Sequence, residues 1–442
     1  MKHKSEFLGT EKISSLLFKM SLPTTIAMIV MTIYTIIDSI FIGQKVGALG
    51  LAAVGIVFPF LMIINAISNC VSVGASSIIS RKLGEKDYKH AQEVFDTFIT
   101  FLLIFSVFMT VFGMIFIDEI LIALGSSAEV LPYAKSFLFP LLFGFVFQIF
   151  SAGLINIVRT FGDAKTSMFS IVFSAVLNII LGYVFMFVYD FGMAGAAWAT
   201  VISQFVSFLF LIWFFKKGHA GIHFEIKTMN LHILKSIITI GLPSFIRQGS
   251  MSVVGVLVNH IIFFHAGDIG VAGYGIMFRV LMILVMPAMG IMQGSQPIIG
   301  YNFGAKNFER VRKTLILAMG VTTGVILVIF VFIYAYPEFF IKLFTKDIEL
   351  IEFTKHGLLI MFIGFPLIGF QFISQGYFQA IGKTKEALIL SLLRQIICFL
   401  PLILFLPLFF GLNGIWYSYP LADLISTIIT YFMIKNEFKL LI

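Results

Sequence analysis

Over 442 residues the chain is 59% hydrophobic and only 12% charged, with a mean hydropathy of +1.03. That is too apolar for an ordinary water-soluble domain and places the chain in a bilayer. The formal net charge of +8 would suit nucleic acid if it were clustered on one face, but the basic residues sit in short loops beside apolar spans. A topogenic, lipid-contacting role accounts for them there.

Stretches apolar enough and long enough to cross about 30 Å of hydrocarbon fall near 21–42, 52–80, 94–117, 132–158, 167–189, 193–215, 237–264, 271–299, 314–336, 357–380, 386–408 and 413–434. They predict an all-α integral membrane protein of twelve transmembrane helices. The N-terminus and the loops 81–89, 159–165, 216–235, 306–313, 383–385 and 435–439 carry 22 of the 30 Lys and Arg residues. The alternate loops carry five, Lys45, Lys135, Lys342, Lys346 and Lys355, so the positive-inside rule predicts cytoplasmic termini. The first apolar run is a full span with no small-residue cleavage site, and it reads as a retained helix rather than a signal peptide.

The second half repeats the first at an offset of 220 residues. Leu22-Pro23 returns as Leu242-Pro243; Gly50, Ala52, Gly55, Ile56 and Phe58 return as Gly270, Ala272, Gly275, Ile276 and Phe278. Gly74, Gly84 and Lys86 return as Gly294, Gly304 and Lys306, and Gly162 and Lys165 as Gly382 and Lys385. Two six-helix lobes follow, 1–217 and 237–442, joined by a cytoplasmic linker at 218–236 with room for a short surface helix. Six is even, so the copies share one orientation, with a pseudo-twofold along the bilayer normal. Transporters are commonly built from such internal repeats, with their sites near the midplane.

Within the first helix, Asp38 is the leading functional residue. A carboxylate in a spanning helix is costly to bury and by default faces a cavity or binds an ion. It is set against a structural ion pair or a solvated helix end. Tyr34 lies one turn earlier and can share its face, whereas the duplicated position is Val258, so this chemistry belongs to one copy. Pro23 removes a backbone hydrogen bond and permits a bend; for Pro23 and Pro243 alike, marking a helix start is the competing reading. Asn178 in helix 5 and Thr200 in helix 6 are isolated polar groups whose usual work is bonding between helices.

The second copy is richer in amides (Gln248, Asn259, Gln293, Gln296, Gln371, Gln375, Gln379) and in methionines (Met251, Met282, Met286, Met289, Met292). With Asn156 from the first copy, Arg247 and Asp423, they furnish a candidate substrate cavity: Asn156, Gln248, Met251, Asn259, Met282, Met286, Gln293, Arg247 and Asp423. Methionine and aromatic walls are deformable and suit varied apolar cations; ordinary packing is the alternative for any one of them.

Two other function classes fare poorly. Gly376-Tyr-Phe-Gln-Ala-Ile-Gly382-Lys383-Thr384 resembles a phosphate-binding loop, but five residues separate the glycines where four are needed. An intramembrane enzyme needs clustered ionisable groups, whereas the deep set (Asp38, Arg247, Arg279, Arg394, Asp423) is scattered over five helices and forms no catalytic constellation. The cysteines, Cys70 and Cys398, lie in apolar spans without a His or carboxylate cluster and suggest neither disulfide nor metal. No cofactor is called for, and the energy is expected from an ion gradient or from the substrate itself.

Met20-Ser-Leu-Pro23-Thr-Thr-Ile, Tyr34-Thr-Ile-Ile-Asp38, Gly241-Leu-Pro243-Ser-Phe-Ile-Arg247-Gln248 and Gln293-Gly-Ser-Gln296-Pro-Ile-Ile-Gly-Tyr301-Asn302-Phe-Gly-Ala-Lys306 carry a resemblance over nearly the whole chain. It resembles the multidrug and toxic compound extrusion (MATE) family, in its bacterial DinF-like branch and the MepA-like group within it. The resemblance implies a V-shaped pair of lobes in a bacterial plasma membrane that exports drug-like, often cationic, compounds in exchange for H⁺ or Na⁺. It carries the family's helix 1 acid onto Asp38 and its proline onto Pro23. The family's cation site places Asn178 and Thr200 beside Asp38, with Na⁺ binding there as one option. The Asp it expects four residues after Asn178 is Gly182 here, which favours H⁺. A lipid-linked oligosaccharide or precursor flippase of the wider superfamily is the alternative; it would use Arg247, Arg279 and Arg394 for pyrophosphate. Six-plus-six major-facilitator antiporters lack support, since Arg81-Lys-Leu-Gly-Glu-Lys-Asp-Tyr does not carry their loop signature. Partners expected are small molecules, H⁺ or Na⁺ and lipids, with no nucleic acid and a monomeric chain.

Overall fold

In the computed structural model, residues 5–218 and 222–440 are described. They contain helices and turns and, among the described residues, no strand. Six helices build the first half: α1 (Ile13–Lys45), α2 (Ala48–Gly84), α3 (Tyr88–Ile115), α4 (Leu131–Thr160), α5 (Ala164–Val188) and α6 (Gly192–Lys216). The single helical run Leu231–Gly304 is broken at Gly267, whose φ of 58° and ψ of −149° separate α7 (231–266) from α8 (268–304). There follow α9 (Phe308–Ala335), α10 (Ile348–Ile381, with a 3-10 turn at Phe362–Gly364), α11 (Thr384–Phe410) and α12 (Leu412–Leu440). Among the described residues this gives twelve long helices, the number expected; ten helical runs, Leu231–Gly304 counted once, are long and apolar enough to cross a membrane. Several begin earlier than hydropathy suggested, because a helix continues past the hydrocarbon edge where its backbone can still bond to itself.

Two expectations change. Pro23 and Pro243 lie well inside their helices, which start at Ile13 and Leu231; neither marks a helix start, and each removes a hydrogen bond from a helix interior. Of the 218–236 segment, 219–221 lie outside the described residues, 222–230 carry no helix, and 231–236 are already α7. No separate surface helix forms among the described residues there. Instead the strap lies on α3: Gln92 Nε2 donates to the His223 carbonyl (2.8 Å), His223 N–H donates to Gln92 Oε1 (2.9 Å), and Thr100 Oγ1 donates to the Lys227 carbonyl (2.8 Å).

The repeat is visible in the turns. Lys86 and Lys306 both take left-handed backbone (φ 60° and 57°). The next residues, Asp87 and Asn307, cap α3 and α9 by accepting from His90 N–H and Arg310 N–H, each at 3.2 Å. A side-chain acceptor at the helix start satisfies one of the otherwise unpaired N–H groups. Gly162 (φ 86°) and Gly382 (φ 79°) close the matching turns of the two copies, a conformation glycine adopts without penalty. This geometry explains why those glycines recur. Gly376, by contrast, is helical and packs on Met292 of α8; it belongs to no phosphate-binding loop.

The chain forms two compact units, the first of residues 1–10 and 26–241, the second of 11–25 and 242–442. In the first, α4 is central, with Gly144 against Val201 of α6 and Gly153 against Phe98 and Leu102 of α3. In the second, α10 takes the equivalent place, with Gly369 against Thr322 and Ile326 of α9. The start of α7 belongs to the first unit and the start of α1 to the second. A Cβ on Gly241 would come within 1.8 Å of the Cys70 carbonyl oxygen, and one on Gly74 within 1.9 Å of the Ile237 carbonyl oxygen. The duplicate of this crossing sits in the second unit, where a Cβ on Gly290 would come within 2.2 Å of Thr25 Oγ1 and one on Gly294 within 2.7 Å of Ser21. The changeovers fall at Thr25/Ile26 and Gly241/Leu242, beside Pro23 and Pro243. Small residues that let backbones touch are the usual means of holding helices together in lipid.

Outside the spans, Glu338 on the short helix Pro337–Lys342 binds Lys342 and Lys355, each at 2.8 Å. The hydrogen bonds from those two ammonium groups, Lys342 first, hold its carboxyl down to about 2.

Gly241→Ala and Gly74→Ala are expected to destabilise the folded protein by about 1–3 kcal/mol each through forced separation of two backbones. Gly324→Ala on α9, where a Cβ meets nothing within 4 Å, should stay within about 0.5 kcal/mol of the parent. Thermal unfolding in detergent followed by fluorescence-detected size exclusion measures all three.

Candidate functional site

In the first unit, α1 and α5 run in the same direction and meet through side chains of increasing register. The Phe41 ring lies 6.2 Å from Tyr183 and 5.6 Å from Phe187, and Lys45 Nζ sits 2.8 Å from Asp190 Oδ1. A Cβ on Gly182 would rest 3.6 Å from the Phe41 ring, so Gly182 faces α1. One turn back on each helix stand Asp38 and Asn178. The i, i+3 and i, i+4 relations put Asp38 on the face of Phe41 and Asn178 on the face of Gly182. The two residues therefore occupy one level, on helix faces that meet.

Asn178 is buried and donates from Nδ2 to Thr200 Oγ1 at 3.0 Å, and that hydroxyl donates onward to the Ala196 carbonyl at 3.1 Å. That bond uses one Nδ2 hydrogen and leaves the amide oxygen of Asn178 without a donor among the described residues, an acceptor still to be used. Asp38 is half-buried and has neither hydrogen bond nor ion pair among the described residues; Tyr34, also half-buried, stands one turn below it. Asn156 lies elsewhere in this unit, on α4, where its Oδ1 accepts from the buried Arg159 at 2.9 Å.

The second unit treats its deep charges differently. Asp423 on α12 is 2% exposed and accepts from Arg394 Nε of α11 at 2.5 Å. Arg394 lies in a π-helical stretch, Leu393–Phe399, a widened turn often found at functional sites. Around the pair, Tyr419 donates to the Tyr274 hydroxyl (2.9 Å), and Gln371 Nε2 donates to the Asp423 carbonyl (2.9 Å) and Thr427 Oγ1 (2.7 Å). Gly364 makes room for the acid: a Cβ there would stand 2.8 Å from Asp423 Oδ2.

Other amides noted in the sequence hold helices together. Gln375 Nε2 bonds Ser391 (2.6 Å), Gln379 Nε2 bonds Ser244 (2.8 Å), and Gln296 Nε2 reaches the Gly376 carbonyl and Gln379 Oε1, both at 3.4 Å. Met282, Met286, Gln248, Gln293 and Arg247 are half-buried, while Met251, Asn259 and Arg279 are exposed. Arg394, in the sequence one of three scattered deep arginines, is here the partner of Asp423. Nothing in the spacing of residues 29 apart announces it. Among the described residues no group of three or more His, Cys, Asp or Glu is placed to hold a metal.

A family model described as MatE matches residues 23–184 and 243–427, once in each copy. The chain belongs to the MatE family and is a multi-span membrane transporter of the MATE type. It is 30% identical to the multidrug export protein MepA of Staphylococcus aureus (strain MSSA476) over 407 residues, covering 91% of this chain and 89% of that protein. It is 27% identical to MepA of Staphylococcus haemolyticus over 418 residues, 94% and 92% of the two chains. Among solved structures, the MATE multidrug transporter DinF-BH, in complex with a small molecule, is 37% identical, with a TM-score of 0.91 and coverage of 99% and 98%. An outward-facing multidrug resistance MATE family transporter of the MOP superfamily is 26% identical, with a TM-score of 0.93 and coverage of 100% and 99%.

Gly182→Ala should be accepted with a stability change within about 0.5 kcal/mol, because its Cβ would make ordinary contact with Phe41. Gly364→Ala should cost about 1–3 kcal/mol by displacing Asp423 or Pro420. Unfolding midpoints of the two purified variants provide the comparison.

Proposed function

We propose that the chain is a cation-coupled multidrug antiporter that exports drug-like, often cationic, compounds by alternating access, with H⁺ favoured over Na⁺. The observation that carries this reading is the contrast between its two deep carboxylates. Asp423 is committed to Arg394, whereas Asp38 has no hydrogen-bond or ion-pair partner among the described residues and shares its level with Asn178. A carboxylate so placed can take up and release a cation. With Gly182 in place of a second acid, the site offers one negative charge and neutral oxygens from Asn178 and Thr200. One carboxylate suffices for a proton and is a weak cage for Na⁺, whose shell needs several oxygens. The names of the relatives, multidrug export proteins and a multidrug transporter solved with a small molecule bound, support the substrate class.

In this mechanism a cation arriving from outside neutralises Asp38, α1 readjusts around the hydrogen bond missing at Pro23, and the substrate is released outward. Tyr34, one turn away, tunes the carboxylate's surroundings. By linkage the ion drives the cycle only through its different affinity for the two states. The half-buried Met282 and Met286, with Gln248, Gln293 and Arg247, and the more exposed Met251 and Asn259, supply an adaptable substrate wall in the second unit, where Asp423, already bonded to Arg394, takes a lesser share; Asn156, in the first unit, is bonded to Arg159. The distribution of Lys and Arg supports cytoplasmic termini in a bacterial plasma membrane, and the chain is proposed to act as a monomer. The flippase reading is less favoured, because Arg394 is neutralised by Asp423 and the remaining Arg247 and Arg279 do not balance a pyrophosphate.

Proteoliposomes under an imposed pH gradient should export a fluorescent cation, and Asp38→Asn should lower that export at least tenfold while the protein stays folded. Undiminished proton-driven export by the variant removes Asp38 from its role. Gly182→Asp should add stimulation by Na⁺ that the parent lacks, read in the same vesicles with a sodium gradient alone.

A further inference from the structure

We infer that the cleft between the start of α9 and the end of α12, in the second unit, binds one anionic phospholipid, with Arg312 and Lys435 on its phosphate and the outward apolar side chains beyond them on its acyl chains. Both helices pack on α10, which stands behind the place where they meet. There the Arg312 guanidinium lies over the Phe438 ring, 5.4 Å from its centre. Lys435 and Phe438 are three residues apart on α12, and Lys439 follows Lys435 by four, so the ring and the two lysines are neighbours on one stretch of helix surface.

The charges at this end are unevenly used. Glu437 is buried and accepts from Lys383 at 2.6 Å and from the Tyr377 hydroxyl at 3.3 Å, while Glu309 is bound to Lys313 at 2.5 Å. Glu386, the third acid, opens α11 next to Lys385. Arg312, Lys435 and Lys439 are exposed and form no ion pair among the described residues. Three uncompensated cations at one rim draw an anion. An arginine laid on an aromatic face keeps its N–H edge free, and that edge grips a phosphate through two parallel bonds. The ring is itself held in place, because the residue before it, Glu437, is bonded to two partners. The guanidinium is thus positioned before a ligand arrives, and less freedom is lost on binding.

Beyond the rim both helices turn apolar side chains outward. Ile316, one turn along α9 from Arg312, and Tyr431 and Phe432, one turn along α12 from Lys435, are 50%, 52% and 56% exposed. In a chain that spans a bilayer these side chains meet acyl chains, and a tyrosine near a helix end sits at headgroup depth. A free phosphate could use only the cations, whereas a phospholipid uses the cations and the apolar faces together. Anionic rather than zwitterionic headgroups are selected, since a choline would bring a fourth cation against three. General surface charge does not account for the arrangement, because the first unit lacks it: the positions 220 residues before Arg312 and Phe438 are Gln92 and Gly218, and Gln92 is already bonded to His223.

The test uses the full-length protein, delipidated in detergent and titrated with phosphatidylglycerol and phosphatidylcholine that carry the same fluorescent tail, with binding read by anisotropy. The parent should bind phosphatidylglycerol about tenfold more tightly, and Arg312→Gln/Lys435→Gln should abolish that preference, the size expected for losing charge-assisted bonds to a phosphate. Phe438→Leu, which keeps every charge, should lower the preference about twofold to threefold by releasing the guanidinium from its ring. Lys216→Gln/Lys217→Gln, which removes two exposed charges from the end of α6, should leave it unchanged. Equal affinity of the parent for the two lipids overturns the site. So does an equal loss in the two double variants, which would reduce the effect to diffuse surface charge. Glycerol phosphate that displaces the lipid at equimolar concentration overturns the lipid as ligand, because the phosphate alone would then be recognised. If Phe438→Leu does not fold, the two double variants, confined to exposed side chains, decide.

Discussion

A charge in hydrocarbon has to be paired, hydrated or exchanged, and this constraint sorts the deep polar groups of the molecule. Asp423 takes the first course, buried at 2% exposure with Arg394 on one oxygen and Gly364 cut away to admit the other. Asp38 takes none of the structural options open to it: Lys45, the basic residue two turns further along α1, is bound instead to Asp190. The two deep carboxylates thus differ in kind: Asp423 has a guanidinium partner and a backbone carbonyl bonded by Gln371, whereas Asp38 has no hydrogen-bond or ion-pair partner among the described residues.

The same solvent explains how the helices are joined. Between helices in lipid there is no hydrophobic force to exploit, so contact comes from close backbones and from hydrogen bonds that have no water to compete with. Both devices are present and segregated. Glycines serve where α7 crosses α2 and where α1 crosses α8. Amides serve in α10, where Gln371, Gln375 and Gln379, spaced one turn apart, reach α12, α11 and α7 in succession.

Much of the fold was legible because membrane helices are long and their polarity is extreme: twelve spans and the register of the repeat follow from hydropathy and from recurring glycines such as Gly162 and Gly382. Helix starts were not legible. Ile13 and Leu231 lie beyond the apolar stretches, and hydropathy does not register a backbone that goes on bonding to itself in the interface. At the site, Asn178 and Thr200 were named and are bonded to each other, and Asp38 was named from the cost of burying it. The Arg394–Asp423 pair was not, since a pair joined across two helices leaves no periodic trace, and the π turn that aims Arg394 has no composition of its own.

Duplication lets the two copies be compared position by position. Subtracting the offset of 220 from Arg394 and Asp423 gives Ser174 and Ser203, and these two also touch, Ser174 Oγ donating to the Ser203 carbonyl at 3.1 Å. The contact between the fifth and sixth helices is thus made at equivalent positions in both copies, by neutral groups in one and by charges in the other. In the first copy that helix pair keeps a neutral hydroxyl bond there and, one turn away, carries Asn178 and Thr200 facing the level of Asp38. In the second copy the position equivalent to Asn178 is Cys398 and the one equivalent to Thr200 is Pro420, neither with a side-chain oxygen, and the polar groups stand one turn away, as the Arg394 guanidinium and the Asp423 carboxylate. One helix pair, used twice, is joined by neutral hydrogen bonds in one unit and by an arginine–carboxylate pair in the other.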